Sequence, residues 1–339
     1  MKRLIAGVLA GMLLTACAPG GQPSTGESAP PPPKDAEKVT LTLNWVPYGE
    51  HAPFYYGLKK GFYAEEGIAL EIKPGSGSGN TIKAVAAGQT TFGWADTPPL
   101  LNSVAAGVPV KSAGVFLQKG PASIEFLEGA NIKSIKDLKG KRVGGTPGDA
   151  MYATFPAVLA ANGLQPTDVT VVNMDAANKI AQLTTGGVDA IMGFFHDQGP
   201  TIEAKTGKKV EYLLYADTGL NLLGTGIVVG NDTLTSKKEL VAKFVRATQK
   251  SWAEAVKNAD EAAKSMVDLA ENEPPLEVLV KQLKLAEPLL KLSEAGKPGK
   301  NTEKQWQETI ELLNKYGTLK EPKAPSVYWD GSLASGGGA

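Results

Sequence analysis

Cysteine is nearly missing from this chain. Its 339 residues contain one, Cys17, which excludes an intrachain disulfide, a cysteine-built metal centre and thiol catalysis in the residues that follow. Arginine is almost as scarce: Arg3, Arg142 and Arg246 are the only three, and lysine supplies the other basic residues. A guanidinium fork is the usual grip on sulfonate and carboxylate groups, so the chain is poorly provided for such anions. The two histidines, His51 and His196, are not set among carboxylates at metal-ligand spacing, and no metal site is expected. Formal net charge is zero, so nothing points to nucleic acid. Gly-x-Ser-x-Gly and His-Glu-x-x-His are absent. "GSGSGN" (75–80) lacks both the Lys-Ser/Thr of a phosphate loop and the ribose-binding context of a dinucleotide fingerprint. No catalytic residue and no cofactor is therefore expected.

Long hydrophobic runs are also lacking, with one exception near the start. "LIAGVLAGMLL" follows Lys2 and Arg3; it is shorter than the roughly 20 apolar residues that cross a bilayer and reads as an export signal. Leu14-Thr15-Ala16-Cys17 resembles a bacterial lipobox, which implies lipidation of Cys17 and a mature protein held at the cell envelope by a lipid anchor. Residues 18–38 are rich in Pro, Gly, Ser and charge and are expected to form a disordered tether. Residues 1–17 are the expected signal peptide.

From residue 39 short β-rich runs, among them "VTLTLNW", "ALEIKP", "TFGWAD", "KRVGGT", "DAIMGFF" and "GIVVG", alternate with helical patterns. Alternation at this spacing predicts an α/β fold with parallel sheets. After Gly230 the pattern changes to amphipathic helices near 236–257, 259–271, 275–286 and 302–316. An internal echo joins "IKAVAAGQTTFGWAD" (82–96) to "IAQLTTGGVDAIMGF" (180–194), each a helix, a capping glycine (Gly88, Gly186) and a strand. It suggests two lobes on one plan. In such sheets ligands sit beyond the strand ends, where helix N-termini point. Five stretches fit: Asn44 to His51, "GSGSGN", Asp96 and Thr97, "GGTPGDAMY" (144–152) and "GFFHDQGP" (193–200).

The aromatic stretch "LNWVPYGEHAPFYYGLKKGFYAEEGI", with "GNTIKAVAAGQTTFGWAD", "LKGKRVGGTPGD" and "AQLTTGGVDAIMGFF", resembles the solute-binding lipoproteins of ABC importers in the group of thiamine-pyrimidine precursor, nitrate, sulfonate and taurine binders, the NMT1/THI5-like family. The resemblance covers about 39–316. It implies a two-lobed periplasmic-binding-protein fold (type II) with two crossovers and a hinge that closes on ligand. Lobe 1 is expected at 39–130 and 228–320, lobe 2 at 131–227 and a C-terminal tail, fraying at "SLASGGGA", at 321–339. The implied partners are an ABC permease and its ATPase, and a monomer is expected. A sensor domain of this fold would carry a DNA-binding helix-turn-helix and no export signal.

Trp45 and Tyr48 are expected to form one wall of a slot for a flat ring, with Phe194 and Phe195 across it; Tyr55, Tyr56, Phe62 and Tyr63, at helical spacing, are expected in the core. Orientation is assigned to Asn44, Ser78, Asn80, Thr97, Thr146, Gly148 and Gln198, near which related pyrimidine binders often carry a Glu. Asp96, Asp149 and Asp197 are placed to accept from ligand N–H groups. The resemblance extends to pyrimidine synthases in which the corresponding histidine is consumed. Those enzymes also need a cysteine-rich iron-linked motif and pyridoxal phosphate, so here His51 is read as a hydrogen-bonding wall residue or a satisfied half-buried imidazole. A thiamine-pyrimidine precursor is the favoured ligand, riboflavin or another flat ring the second, and an alkanesulfonate or nitrate-type anion a further alternative.

Overall fold

In a computed structural model that describes residues 29–270, 273–290 and 297–333, the chain forms two five-stranded sheets. The first orders its strands β2-β1-β3-β10-β4, with β1 (Glu37–Thr42), β2 (Ile68–Lys73), β3 (Phe92–Asp96), β4 (Val110–Val115) and β10 (Thr225–Gly230). The second runs β7-β6-β8-β5-β9, with β5 (Ala122–Leu127), β6 (Arg142–Gly145), β7 (Thr170–Asn173), β8 (Ala190–Phe194) and β9 (Val210–Leu214). Counting strands within each lobe, the order is the same in both: second, first, third, an inserted strand, fourth. The echo is therefore real architecture, since β3 and β8 hold equivalent places behind the helices Ser78–Ala86 and Ala176–Thr184. Gly88 and Gly186 carry φ of +67° and +77°, the left-handed conformation that stops each helix.

The sheets are mixed, not purely parallel. β1, β2 and β3 pair in parallel, as do β6, β7 and β8, but β10 and β5 run antiparallel to both of their neighbours. Each inserted strand is the first one laid down after the chain has crossed from the other lobe, so it arrives from the opposite end of the sheet. The first crossing lies at 116–121, earlier than the expected boundary at 130, because β5 belongs to the second sheet; the second lies at 215–224.

Two features of the termini also differ from expectation. β1 begins at Glu37, inside the expected tether, and Pro30 lies against Gly61; the signal peptide and Cys17 fall outside the described residues. The expected tail packs as far as Leu333: Trp329 bridges Ser112 on the edge of β4 and stacks on Trp306 at 5.8 Å, and Tyr328 and Leu333 are buried. Residues 334–339 lie outside the described residues.

The first lobe's core answers for most of the aromatic stretch. Trp94 of β3 meets Phe54 at 4.9 Å, Phe116 at 5.4 Å and Trp252 at 5.5 Å between ring centroids. Tyr55, Tyr56 and Tyr63 are buried there and Phe62 packs against them. Burying each such side chain is worth about 1.5–3 kcal/mol. The helix Lys238–Ala255 closes this core through Phe244, stacked on Phe92 at 4.0 Å. The helix Glu303–Lys315 instead braces the crossings: Gln305 donates to Gln118, Thr309 accepts from the Leu223 N–H, and Asn301 just before it holds both backbone groups of Val115.

Candidate functional site

The carboxyl ends of β1, β3, β6 and β8 face one another across the space between the lobes. A groove of about 780 Å3 opens there, and Trp45, Tyr48, Asp197 and Gln198 belong both to it and to an inner chamber of about 20 Å3. The chamber has room for about one water, so a ring enters only as the lobes part.

The first wall starts where β1 ends. The Gly75 and Gly77 N–H groups donate to the Trp45 and Asn44 carbonyls; a Cβ on Gly75 would stand 1.8 Å from the Leu43 carbonyl oxygen, and Gly77 has φ +119°. These glycines of "GSGSGN" let two backbones touch, and they hold Asn44 and Trp45 at the cleft. Ser78 then heads its helix and donates to Asp96 Oδ2 at 2.5 Å, while Thr225 donates to Oδ1 at 3.2 Å. Burial lifts the Asp96 pKa to about 7 against the pull of these hydrogen bonds, with Glu50 adding to the rise.

Behind this wall lies a group the sequence did not flag. Glu50 is fully buried and accepts three bonds of 2.7 Å, from the Tyr48 hydroxyl, the Trp94 indole and His196 of the second lobe. Burial alone would raise its pKa, but the hydrogen bond and charge of His196, with help from His51 and Tyr48, hold it below the ordinary value. The first lobe thus keeps a carboxylate for the second lobe's histidine.

His51 is not a cleft residue. It is fully buried; its Nδ1 faces the Tyr48 N–H at 3.3 Å and its Nε2 faces Asn44 Oδ1 at 2.8 Å. An N–H facing Nδ1 makes that atom the acceptor, so the proton sits on Nε2. Burial, against the attraction of Glu50, lowers its pKa to about 4, and the ring is neutral near pH 7. It positions Asn44, which in turn bonds Asp96.

The second wall begins at Asp149, which caps the helix Ala150–Ala161 by accepting from the Tyr152 N–H. Its Oδ2 accepts a hydrogen bond from the Lys179 ammonium at 3.2 Å, and Lys179 also donates to the Met192 carbonyl. Lys179 is wholly buried and its ammonium lies 5.3 Å from the centroid of the Trp45 ring, a cation–π contact across the cleft. Burial outweighs Lys179 and raises the Asp149 pKa. Phe194 ends β8 and stacks on His196 at 5.8 Å. Asp197 accepts from Gln282 of the helix Leu276–Ala286, and burial lifts its pKa to about 6 in spite of His196 and Lys179.

Nine of the expected residues line the inner chamber: Asn44, Trp45, Tyr48, Ser78, Asp96, Asp149, Phe194, Asp197 and Gln198. The others do not. Asn80 is exposed and bonds Ser76; Thr97 is spent on the Gly224 carbonyl; Phe195 turns away to Tyr212. Thr146 stands short of the chamber with a buried, unpaired hydroxyl, and Gly148 meets the other lobe by accepting from the Gly79 N–H. Loop residues next to a strand end share its neighbourhood in sequence, but which of them turn to the chamber is set by the loop's own path: Asn44 and Trp45 both do, whereas Asn80 and Thr97 do not. Glu50, Lys179 and Gln282 escaped the sequence reading. Lys179 did leave a trace: it precedes Leu183 by one turn on a buried helix face, where a charge needs a partner.

Comparison with known proteins places this geometry. Residues 49–262 match the family model described as NMT1/THI5 like. The riboflavin-binding protein RibY of Chloroflexus aurantiacus is 31% identical over 274 residues, covering 77% of this chain and 76% of that protein. A 4-amino-5-hydroxymethyl-2-methylpyrimidine phosphate synthase of Legionella pneumophila is 29% identical, covering 66% and 71%. The alkanesulfonate-binding protein SsuA of Xanthomonas axonopodis pv. citri, solved with MOPS, superposes with a TM-score of 0.67 at 17% identity, covering 86% of this chain and 98% of that one. That likeness establishes the two-lobed periplasmic-binding-protein fold. With most of its length matched by one family model and by relatives of the same descent, the chain belongs to the NMT1/THI5-like family.

Proposed function

We propose that this chain is the exported solute-binding component of an ABC importer, which captures a small planar heterocycle between its lobes and hands it to a permease driven by an ATPase. One observation carries the ligand class: three carboxyl groups, the buried Asp96 and Asp149 and the partly buried Asp197, line the chamber, and neither Arg142 nor Arg246, the arginines among the described residues, is there. Arg142 is bound to Asp189 and to the carbonyls of Gly186 and Gly187, and Arg246 to Glu66. A sulfonate or nitrate would meet like charge, whereas ring N–H and amino groups meet acceptors. Trp45 and Phe194 supply the faces for a flat ring.

The ligand is a heterocycle with a pyrimidine-type edge. The sequence puts a thiamine-pyrimidine precursor first; a flavin is the second reading, favoured by the 31% identical riboflavin-binding relative. The protein acts as a binder and not as a synthase, since His51 stands behind the wall with both ring nitrogens engaged and the cysteine-rich motif of the resembling enzymes has no counterpart here. Cys17 carries the lipid that anchors it, and it works as a monomer. Mass spectrometry of small molecules that copurify, followed by thermal-shift titration with pyrimidines, flavins and sulfonates, tests the reading. Stabilisation by a heterocycle is the expected result; stabilisation by sulfonates alone overturns it.

A further inference from the structure

A second chamber of about 20 Å3 lies on the hinge side of the first. Both crossing segments wall it, through Pro121 from one and Leu220, Leu222 and Leu223 from the other. The two chambers share Asp96, Ala150 and Phe194. Asp96 belongs to the first lobe and the other two to the second, so the partition is itself a contact between lobes. Parting the lobes enough to admit a ring joins the two chambers into one slot.

Their chemistry differs. Apart from the shared Asp96, Ala150 and Phe194, the inner chamber adds Asn44, Ser78, Asp149, Asp197 and Gln198, whereas the hinge-side one adds mainly proline, alanine and leucine, with Thr154 spent on the Ala150 carbonyl. Tyr215 is one of the hinge-side chamber's lining residues, 2% exposed, and its buried hydroxyl has no partner among the described residues. Burial, reinforced by the Asp149 charge, pushes its pKa far up, so it stays a protonated donor. Buried hydroxyls without partners are rare in native proteins and ask for an explanation.

Resting on the reading of the cleft as a planar-heterocycle site, we infer that the hinge-side chamber is a second subsite for an apolar ring fused to the heterocycle, with a ring acceptor served by Tyr215. The preferred ligand class is then a fused polycyclic heteroaromatic and not a single pyrimidine, which reverses the order read from sequence. An isoalloxazine has the required layout: a pyrimidinedione edge with an N–H donor for the inner chamber, a dimethylbenzene edge for the apolar one, and a ring nitrogen acceptor between them.

Calorimetry on the wild type, Ala122→Leu and Tyr215→Phe, with lumiflavin and with 4-amino-5-hydroxymethyl-2-methylpyrimidine as probes, tests this. Ala122 lines only the hinge-side chamber of the two, so the added bulk fills it. The wild type is expected to bind the tricycle about tenfold or more tighter than the single ring, and Ala122→Leu to lower tricycle affinity about tenfold. Tyr215→Phe, which keeps the shape, is expected to lower tricycle affinity about fivefold and secures the test if Ala122→Leu melts early. Both variants leave the single ring within about threefold of wild type, a difference under about 0.7 kcal/mol. If the single ring binds as tightly as the tricycle and both variants treat the probes alike, the subsite is overturned and the planar-heterocycle reading stands. If neither probe binds the wild type, both fall together.

Discussion

On the first lobe's side of the cleft the polar side chains are bonded to one another: Glu50 to Tyr48 and Trp94, His51 to Asn44, Asp96 to Ser78 and Thr225. On the second lobe's side five buried polar atoms have no partner among the described residues: Glu125 Oε2, Thr146 Oγ1, His196 Nδ1, Gln198 Oε1 and Tyr215 Oη. The lobes share a strand plan, so the difference lies in the side chains. An unpaired buried group costs about 1–3 kcal/mol, and the second lobe carries several beside the cleft. The first wall is a platform whose polar groups are already bonded, Glu50 reaching across to His196, and the second keeps bonding capacity in reserve for what enters. Gln198 shows how: its carbonyl oxygen turns toward Gly193, where Glu125, whose pKa burial raises well above the ordinary value, also points.

The comparison can be broken most sharply at Glu50. Glu50→Ala removes the acceptor for three buried donors and leaves His196 unpaired, and it should cost about 3–5 kcal/mol in denaturant-induced unfolding. A loss below about 1 kcal/mol would show that the platform is not held there. Next comes the division between facing the ligand and standing behind it. Trp45→Ala should weaken ligand binding about tenfold or more, near 1.4 kcal/mol, with a smaller effect on melting than a core tryptophan would have, because the ring is only partly buried. His51→Ala should do the opposite, lowering stability by about 1–3 kcal/mol while the folded protein keeps its affinity within about threefold. Equal effects of the two on affinity would return His51 to the site.

The smallest effect concerns pH. Asp96 and Asp197 have folded pKa values raised to about 7 and about 6 from an ordinary 3.8, so the folded protein holds protons that the unfolded chain has released. Their contribution to stability is complete below about pH 4 and is lost as pH rises toward 7. Ligand N–H donors favour the ionised carboxylates, so ligand-induced stabilisation should be larger at pH 8 than at pH 5. Asp96→Asn should flatten the part of both trends nearest pH 7. Thermal-shift curves at the two pH values measure this; identical ligand shifts in wild type at both would detach Asp96 and Asp197 from the ligand.

Much of the architecture could be read along the chain, because strand and helix periods, capping glycines and the 82–96 and 180–194 echo are local signals. Side-chain type also identified the three aspartates and Trp45 as cleft residues, since strand ends in an α/β fold converge on one place. The amino-acid sequence by itself determined a two-lobed α/β chain, poor in arginine, with acidic and aromatic strand ends. Tertiary structure alone decided which residues face inward. Glu50 meets His196 across 146 positions of sequence, Lys179 meets Trp45 from the opposite lobe, and the crossings come together to wall a second chamber. Such contacts have no period and no motif: they arise from two sheets packed against each other, and burial in that packing is what makes a charge or hydroxyl need a partner.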